Sequence, residues 1–301
     1  MRLNAVNILE ISITSSPKNI ILEYIKKYLT NTSKLEKSNP KLRVKPLVIV
    51  TPNPEQVIYG RTHPEFKKIL NRADVALPDG IGIIKAAQML GVPIEGGRVS
   101  GVDMMRSLAA LSAELGARIG LIGGRGGVAL ESLECLKSTL AQESRGTYHL
   151  EGWATDGPEL EVMNQGVGIR NQEKNEEWQD VPMQTYIQTI VGKIITSNTR
   201  MVFVGLGAPK QEYIIEAVSS QLSAVSFSPI VFMAVGGSMD ILSGRIRRAP
   251  RAVQSLGLEW LWRLILEPWR LGRQLVLLEY IWLVVCARSK MGRGTLKIDA
   301  I

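Results

Sequence analysis

A carboxylate stands at the end of an apolar run in the stretch RADVALPDGIGI, residues 72–83. The run Ala73–Leu77 predicts a buried strand, and Asp79 follows it with Gly80 and Gly82 alongside. In an open parallel sheet, ligands bind outside the carboxyl ends of the strands. An aspartate in a partly desolvated pocket there can have a raised pKa and act as a general base. The alternative is that Asp79 only caps the helix that follows, because aspartate is a favoured N-cap residue.

Other predicted strands also end in glycines or polar residues. Thr51 follows the run VIV, and three strand–glycine–helix junctions occur in LIGGRGGVA, VFVGLGAPKQE and MAVGGSMDILSG. Backbone N–H groups at the start of a helix can hold phosphate, so several such junctions favour a phosphate-bearing ligand. The residues at these ends that we expect to bind substrate are Asn53, Gly123, Gly124, Gly205, Gly207, Lys210, Gln211, Gly237 and Asp240.

The glycine spacing leaves a second function open. Gly124-x-Gly126-x-x-Ala129 fits the loose fingerprint of dinucleotide binding, which would make the protein a nucleotide-dependent oxidoreductase. However, this loop lies in the middle of the chain, whereas the fingerprint usually opens its fold. A catalytically inactive membrane-binding module is a third alternative, and the intact Thr51, Asp79 and Gln211 argue against it.

Short runs rich in Val, Ile and Leu alternate with helical patterns along most of the chain. The clearest are KPLVIV, ARIGLIGG, RMVFVGLG and PIVFMAVGG. Strands that are apolar throughout are buried on both sides, as in a parallel sheet with helices on both faces. We therefore expect an α/β fold with a Rossmann-like, mostly parallel sheet. At the N-terminus, NAVNILEISI predicts one strand, and the next helix would be capped by Ser16.

Two polar stretches interrupt the alternation. Residues 30–43 lack apolar periodicity, and residues 157–182 are acidic and rich in Asn and Gln, so both predict surface insertions. We expect a catalytic α/β domain over residues 1–243 and a helical appendage over residues 244–301.

The composition limits the class of protein. The 301 residues are 45% hydrophobic and 21% charged, so the chain can bury a large core. Cys135 and Cys286, its two cysteines, have no CxxC or CxxH context, which fits a reducing, cytoplasmic compartment and argues against a zinc site. The N-terminus lacks the apolar core of a signal peptide, and the apolar run at 275–287 is too short for an ordinary transmembrane helix.

The segment from Arg245 to Arg293 differs from the rest of the chain. It holds ten Lys or Arg against three Glu, nearly all of the net charge of +8, and four of the six tryptophans. It is too apolar to track nucleic-acid phosphates, so no nucleic-acid partner is expected. Tryptophan, leucine and arginine together suit an anionic membrane surface. The alternative is a pair of amphipathic helices docked on the body or on a neighbouring subunit of a homo-oligomer.

Six blocks of the sequence, in order, resemble the WecG/TagA/CpsF glycosyltransferases (glycosyltransferase family 26). They are TPNPEQV, LPDGIGI, RVSGVDMM, VGLGAPKQE, AVGGSMDILSGRIRRAP and GLEWLWRLILEPWRL. The resemblance implies an inverting enzyme that moves an N-acetylmannosamine-type sugar from a UDP-sugar donor to a polyprenyl-diphosphate-linked acceptor, usually N-acetylglucosamine. Such enzymes serve cell-surface polysaccharide or teichoic-acid-like biosynthesis. They bind peripherally to the inner face of the cell membrane and use no metal cofactor.

The resemblance also implies roles for single residues. Asp79 matches the family's aspartate base, Thr51 a threonine near the reacting centre, and Arg98 an active-site arginine. Gln211 and Asp240 match residues on the nucleotide side. The arginines of the appendage, which would bind the diphosphate or the membrane, correspond to Arg248, Arg251, Arg263 and Arg270.

The residues agree with that chemistry. No DxD-like acidic pair follows an apolar strand, so we expect arginines and helix N-termini, not a divalent cation, to stabilise the leaving diphosphate. The predicted strand ends offer few cations, chiefly Arg98 and Lys210, so the appendage would complete the active site. Ser100 stands where the family commonly has threonine, a departure that bears on the choice of acceptor.

Overall fold

A computed structural model describes residues 2–38, 43–158, 160–163, 166–169, 181–225, 228–268 and 271–292. The chain divides into two compact units. Unit 1 comprises Met1–Ile21, Thr51–Ser100 and Arg247–Ile301, and unit 2 comprises Leu22–Val50 and Gly101–Ile246. The sequence predicted a division after residue 243. The structure groups the C-terminal segment with the part of the chain that holds Asp79.

Strands and helices alternate along the described chain. The strands are β1 Ala5–Ile8, β2 Ile11–Thr14, β3 Leu47–Val50, β4 Val75–Ala76, β5 Arg118–Gly123, β6 Gly152–Thr155, β7 Leu160–Met163, β8 Gly166–Ile169, β9 Thr199–Gly205 and β10 Val231–Ala234. The helices are α1 Lys18–Ser38, α2 Pro54–Thr62, α3 Pro64–Arg72, α4 Ile81–Met89, α5 Gly101–Glu114, α6 Val128–Glu143, α7 Val181–Thr196, α8 Lys210–Val225, α9 Ser238–Leu242, α10 Arg251–Ser255, α11 Glu259–Leu266 and α12 Leu271–Gly292.

Unit 2 contains parallel strands in the order β3-β10-β9-β5-β6. Every residue of β3 and β10 is buried, which requires cover on both faces of the sheet. Helices α5, α7 and α8 pack against β9. The predicted α/β class, with a parallel sheet and helices on both faces, is confirmed.

The strand register in unit 2 places the glycine junctions at one edge. Gly123 at the end of β5 pairs with Gly205 at the end of β9, and Val204 pairs with Ala234 at the end of β10. Because these strands are parallel, the loops after all three leave the sheet at the same side.

Unit 1 begins with the antiparallel hairpin β1–β2, where the sequence predicted a single strand. Leu9 and Glu10 form its turn with φ of 49° and 69°, the left-handed values that a two-residue type I′ turn needs. Neither residue is Gly or Asn, so this turn lacks the residue types that usually mark one. The predicted cap at Ser16 is also wrong, because α1 begins at Lys18 and the Ser16 hydroxyl accepts a hydrogen bond from the Asn4 N–H at 2.8 Å.

The C-terminal helix is part of the fold of unit 1. Helix α12 packs against α2 and α4, and its Tyr280 and Val284, one helical turn apart, are buried. Within the described ranges, none of the helices is both long enough and apolar enough to cross a membrane. The predicted helical C-terminal region is confirmed, as α10, α11 and α12.

The two polar stretches contain regular structure. Helix α1 extends to Ser38, since a helix already anchored by the buried Ile25 and Leu29 propagates into polar sequence without a new nucleation step. In the second stretch, β7 and β8 form an antiparallel hairpin that contacts α8. The rest of the predicted insertions, residues 39–42, 159, 164–165 and 170–180, lies outside the described residues.

Candidate active site

Asp79 follows β4 and does not cap the next helix. Its N–H donates to the carbonyl of Leu77 at 2.8 Å, which bends the chain directly after the strand. The N-cap position of α4 is Gly80, at a φ of 93°, and no side chain caps that helix end. The capping alternative is therefore wrong, and the Asp79 side chain stays about one-third exposed, at 35%.

The two glycines beside Asp79 have separate structural reasons. Gly80 adopts a positive φ that a side chain would strain. A Cβ on Gly82 would come within 2.6 Å of Cγ of Pro54, so the start of α4 passes close to the start of α2. The buried Thr51 lies three residues before Pro54. Asn53 caps α2 by accepting the Gln56 N–H at 3.0 Å, so its substrate contact stays a prediction.

Arg98 lies beside Asp79 and is held there by an acidic residue of the C-terminal segment. The N–H of Val99 donates to the carbonyl of Pro78 at 3.2 Å, which ties this part of the chain to the Asp79 loop. Nη2 of Arg98 is 3.9 Å from Oδ1 of Asp79 and donates a hydrogen bond to Oε2 of Glu259. The side chains of Arg98 and Glu259 are only 23% and 20% exposed, so their ion pair is partly desolvated.

Two arginines of the appendage belong to the same cluster. Nε of Arg248 lies 3.9 Å from Oε1 of Glu259, and its Nη2 donates to the Ser100 hydroxyl at 3.5 Å. Nε of Arg263 lies 3.6 Å from Oε2 of Glu267, and its charge also acts on Asp79. The structure thus joins Arg248 to the cluster through Glu259 and Ser100, whereas Arg263 acts on Asp79 directly through its charge.

The surroundings raise the pKa of Asp79 to about 6. Desolvation is the largest cause, and the Glu259 charge raises the pKa further. Arg98 and Arg263 lower it, as does a hydrogen bond from the Gly80 backbone. At neutral pH the carboxylate is mostly ionised, yet it binds a proton more strongly than an ordinary aspartate. That combination suits a general base.

Unit 2 contains a cavity of about 380 Å³ at the glycine-rich edge of its sheet. Its lining includes the predicted residues Gly124, Gly205, Lys210 and Asp240. It also includes Arg125 and Arg245, which were not among the predicted site residues. Arg245 donates to both carboxylate oxygens of Glu131, at 2.7 and 2.8 Å, and to the carbonyls of Arg125 and Gly126. Arg245 therefore fixes the glycine-rich loop at the cavity wall.

The remaining predicted residues of unit 2 shape its strand ends. A Cβ on Gly123 would lie 2.5 Å from the carbonyl oxygen of Gly205, so only glycine lets the ends of β5 and β9 approach this closely. Gly207 has a φ of 74° before α8, and Gly237 precedes α9. The Gln211 side chain is buried; it accepts the Gly236 N–H at 2.9 Å and donates to Glu212 at 2.9 Å.

Comparison with known proteins decides the family. The model of the glycosyl transferase WecG/TagA/CpsF family matches residues 6–294. The chain belongs to this family. A relative from Bacillus spizizenii, N-acetylglucosaminyldiphosphoundecaprenol N-acetyl-beta-D-mannosaminyltransferase, is 29% identical over 237 residues, which cover 79% of this chain and 78% of the relative. The resemblance seen in the six blocks is confirmed, and the protein is a glycosyltransferase.

The oxidoreductase alternative has no support from these comparisons, and the glycine-rich loop of this glycosyltransferase argues against it. The N–H of Gly127, at the start of α6, donates to both carboxylate oxygens of Asp156, at 3.2 and 3.0 Å. In a dinucleotide-binding fold the pyrophosphate binds at this helix end. Here the Asp156 carboxylate already accepts the hydrogen bond from that helix end.

Glu259 is a residue of this glycosyltransferase's cluster that was not predicted from the sequence. Its only signal is an acidic residue at the head of the block EWLWR, inside a strongly basic segment. Of the other predicted residues, Arg251 is exposed at the start of α10, and Arg270 lies outside the described residues. Across the part of the chain that the structure describes, His, Cys, Asp and Glu side chains form no group of three that could hold a metal ion.

Proposed function

We propose that this glycosyltransferase moves an N-acetylmannosamine-type sugar from UDP to a polyprenyl-diphosphate-linked N-acetylglucosamine, with inversion, in cell-surface polysaccharide or teichoic-acid-like biosynthesis. The name of the Bacillus relative supports the sugar and the acceptor. The single observation in this chain that carries the proposal is Asp79, a carboxylate with its pKa raised to about 6 and with Arg98, Arg248 and Arg263 in the same cluster.

The reaction needs a base and a stabilised leaving group. Asp79 takes the proton from the attacking hydroxyl of the acceptor sugar as that oxygen bonds to the anomeric carbon of the donor. The bond from the anomeric carbon to the diphosphate oxygen breaks, and UDP leaves with the bonding electrons. Attack from the face opposite the diphosphate inverts the anomeric centre, which fits the β-linkage in the relative's name.

Arginines are suited to stabilise the departing diphosphate. A guanidinium donates paired hydrogen bonds to phosphate oxygens and stays charged at any physiological pH. Arg98, Arg248 and Arg263 are each about three-quarters buried, so their charge is screened little by water. We therefore propose that the reaction needs no divalent cation.

We also propose that the cavity in unit 2 binds a nucleotide. Its volume of about 380 Å³ falls in the range of small-molecule sites. Lys210 opens the 16-residue helix α8, so its ammonium and the helix N-terminus both favour an anionic group there. Asp240, in the first turn of α9, would accept hydrogen bonds from ribose or base.

The proposed function predicts metal-independent transfer. With UDP-N-acetylmannosamine and a lipid-linked N-acetylglucosamine diphosphate, the protein should release UDP and form the disaccharide, and EDTA should change the rate by less than about twofold. Product is followed by mass spectrometry, and binding of UDP-sugars is compared with that of nicotinamide nucleotides. Loss of activity in EDTA that magnesium or manganese restores would show that the diphosphate is held by a metal ion instead.

We further propose that α11 and α12 lie on an anionic membrane surface, with the protein peripheral at the inner face of the cell membrane. Helix α11 has no buried residue, and Trp260 and Ile265 are exposed. The exposed apolar side chains of α12 recur every three or four residues, at Leu271, Leu275, Leu278, Trp282 and Val285. Arg288 and Lys290, exposed near the end of α12, would add attraction to anionic headgroups.

Charging this stripe should weaken membrane binding. In the double variant Leu278→Glu/Trp282→Glu, binding to phosphatidylglycerol vesicles should fall by more than roughly tenfold, because each side chain loses about 1.5–3 kcal/mol of apolar burial. Co-sedimentation measures the bound fraction. Leu130→Glu, at an exposed site on α6, is the matched control and should bind like wild type. Equal binding by the double variant and the control would exclude the stripe as a membrane contact.

A further inference from the structure

A negative charge sits inside the arginine cluster of unit 1. Glu259 is the first residue of α11, and its carboxylate oxygens face two different guanidinium groups. Oε2 accepts a hydrogen bond from Arg98, and Oε1 lies 3.9 Å from Nε of Arg248. Arg98 is in turn 3.9 Å from Asp79. Glu259 therefore connects the C-terminal segment to the residue next to the base.

A carboxylate in this arginine cluster opposes the binding of an anion, so its presence there needs a physical explanation. A partly desolvated arginine without a partner would turn to the nearest carboxylate, which here is Asp79. An ion pair between Arg98 and Asp79 would occupy the group that must remove a proton. Glu259 offers Arg98 a different anion and fixes its guanidinium by a hydrogen bond.

We propose that Glu259 is a positioning residue for the transfer reaction. It holds Arg98 beside Asp79, lies close to Arg248, and keeps Arg98 from pairing fully with the Asp79 carboxylate. The proposal rests on the proposed function, because it assigns Glu259 a part in the same reaction. Glu259 itself does not touch the reacting atoms.

The charged groups that face Asp79 determine the direction in which the pKa of Asp79 shifts when the Glu259 charge is removed. Arg98 and Arg263 lower the pKa of Asp79, the Gly80 backbone N–H lowers it too, and Glu259 raises it. Removing the Glu259 charge deletes a raising contribution and releases Arg98 toward Asp79. Both changes lower the pKa of Asp79, so the base becomes weaker and stays ionised to lower pH.

The test is the pH profile of Glu259→Gln, which keeps the size and hydrogen-bonding ability of the side chain and removes its charge. We expect the acidic limb of kcat/KM to move to lower pH by roughly half a unit to one unit, and the plateau rate to fall roughly tenfold. Glu279→Gln, at an exposed site on α12, removes the same charge from the same segment. Its profile should match wild type.

If the acidic limb of the kcat/KM profile of Glu259→Gln stays at the wild-type pH, whatever the plateau rate, the proposal is overturned and Glu259 is only a structural residue. If Glu259→Gln does not fold, Glu259→Asp decides, because it keeps the charge on a shorter side chain. Its shorter side chain holds Arg98 less well, so its limb should also move to lower pH, and a limb that stays at the wild-type position would overturn the proposal. Wild-type protein that transfers no sugar from UDP-N-acetylmannosamine would contradict the proposed function instead, so the two failures are distinguishable.

Discussion

Asp79→Asn is expected to reduce turnover by roughly 10²–10⁴-fold while the fold and UDP binding stay intact. The amide has nearly the shape of the carboxylate but cannot take a proton from the acceptor hydroxyl. No helix cap is lost, since the N-cap position of α4 is Gly80 and no side chain caps that helix. Turnover is measured as UDP release under single-turnover conditions, so that product release does not mask the chemical step.

The pH profile gives the same residue a second signature. Asp79 must be ionised to act as a base, so kcat/KM of the wild type should fall as pH drops through about 6, the raised pKa of this carboxyl. Asp79→Asn should lose that limb. The contribution of this carboxyl to folding stability changes with pH in the opposite direction. Because its pKa is raised, the folded state binds the proton more tightly than the unfolded state does. The group therefore stabilises the fold as pH falls from about 6 toward the unfolded pKa of 3.8. The melting temperature of Asp79→Asn at neutral pH should therefore be no lower than that of the wild type.

Asp74→Asn is the matched control for this experiment, because it makes the same chemical change at an exposed position just before β4. It should turn over at close to the wild-type rate. Near-normal turnover in Asp79→Asn, or a wild-type acidic limb in that variant, would remove Asp79 from the role of base.

Arg98→Ala should reduce turnover by roughly 10²–10³-fold, the usual loss when one donor to a developing anion is removed. The arginine is only 23% exposed, so water replaces its charge poorly. Arg98→Lys should recover a minority of the rate, because an ammonium carries the charge but cannot form the paired hydrogen bonds of a guanidinium. The effect should fall on kcat more than on the KM for the donor, since charge on the diphosphate grows as its bond to the sugar breaks.

Arg61→Ala, an exposed arginine in the last turn of α2, controls for the loss of one positive charge from unit 1 and should stay active. Removing Arg98 also leaves Glu259 without its hydrogen-bond partner. Circular dichroism and melting curves must therefore accompany the kinetics. A folded Arg98→Ala protein with the wild-type kcat would contradict the assignment of this arginine to the leaving group.

The local sequence determined the parts of this protein that depend on neighbouring residues. Apolar runs such as Val231–Ala234 predicted buried parallel strands, because burial on both faces needs no polar alternation. The same reasoning placed Asp79 directly after a strand, and it placed Gly123 and Gly205 at the ends of strands. Six ordered blocks were enough to predict the family, since each block preserves residue types over a short stretch.

Only the tertiary structure decided which distant residues meet. Glu259 lies 161 positions after Arg98, and no periodicity relates two residues so far apart. In the sequence, Glu259 is only one of three acidic residues in a strongly basic segment. In the fold, it is the hydrogen-bond partner of Arg98, the arginine beside the base. Backbone geometry also decided whether Asp79 caps a helix or has its carboxylate available as a base. Gly80, at a φ of 93°, takes the cap position of α4. The raised pKa of Asp79 has the same origin: desolvation and the charges of Arg98, Glu259 and Arg263 act through space, and their distances are set by how the chain folds.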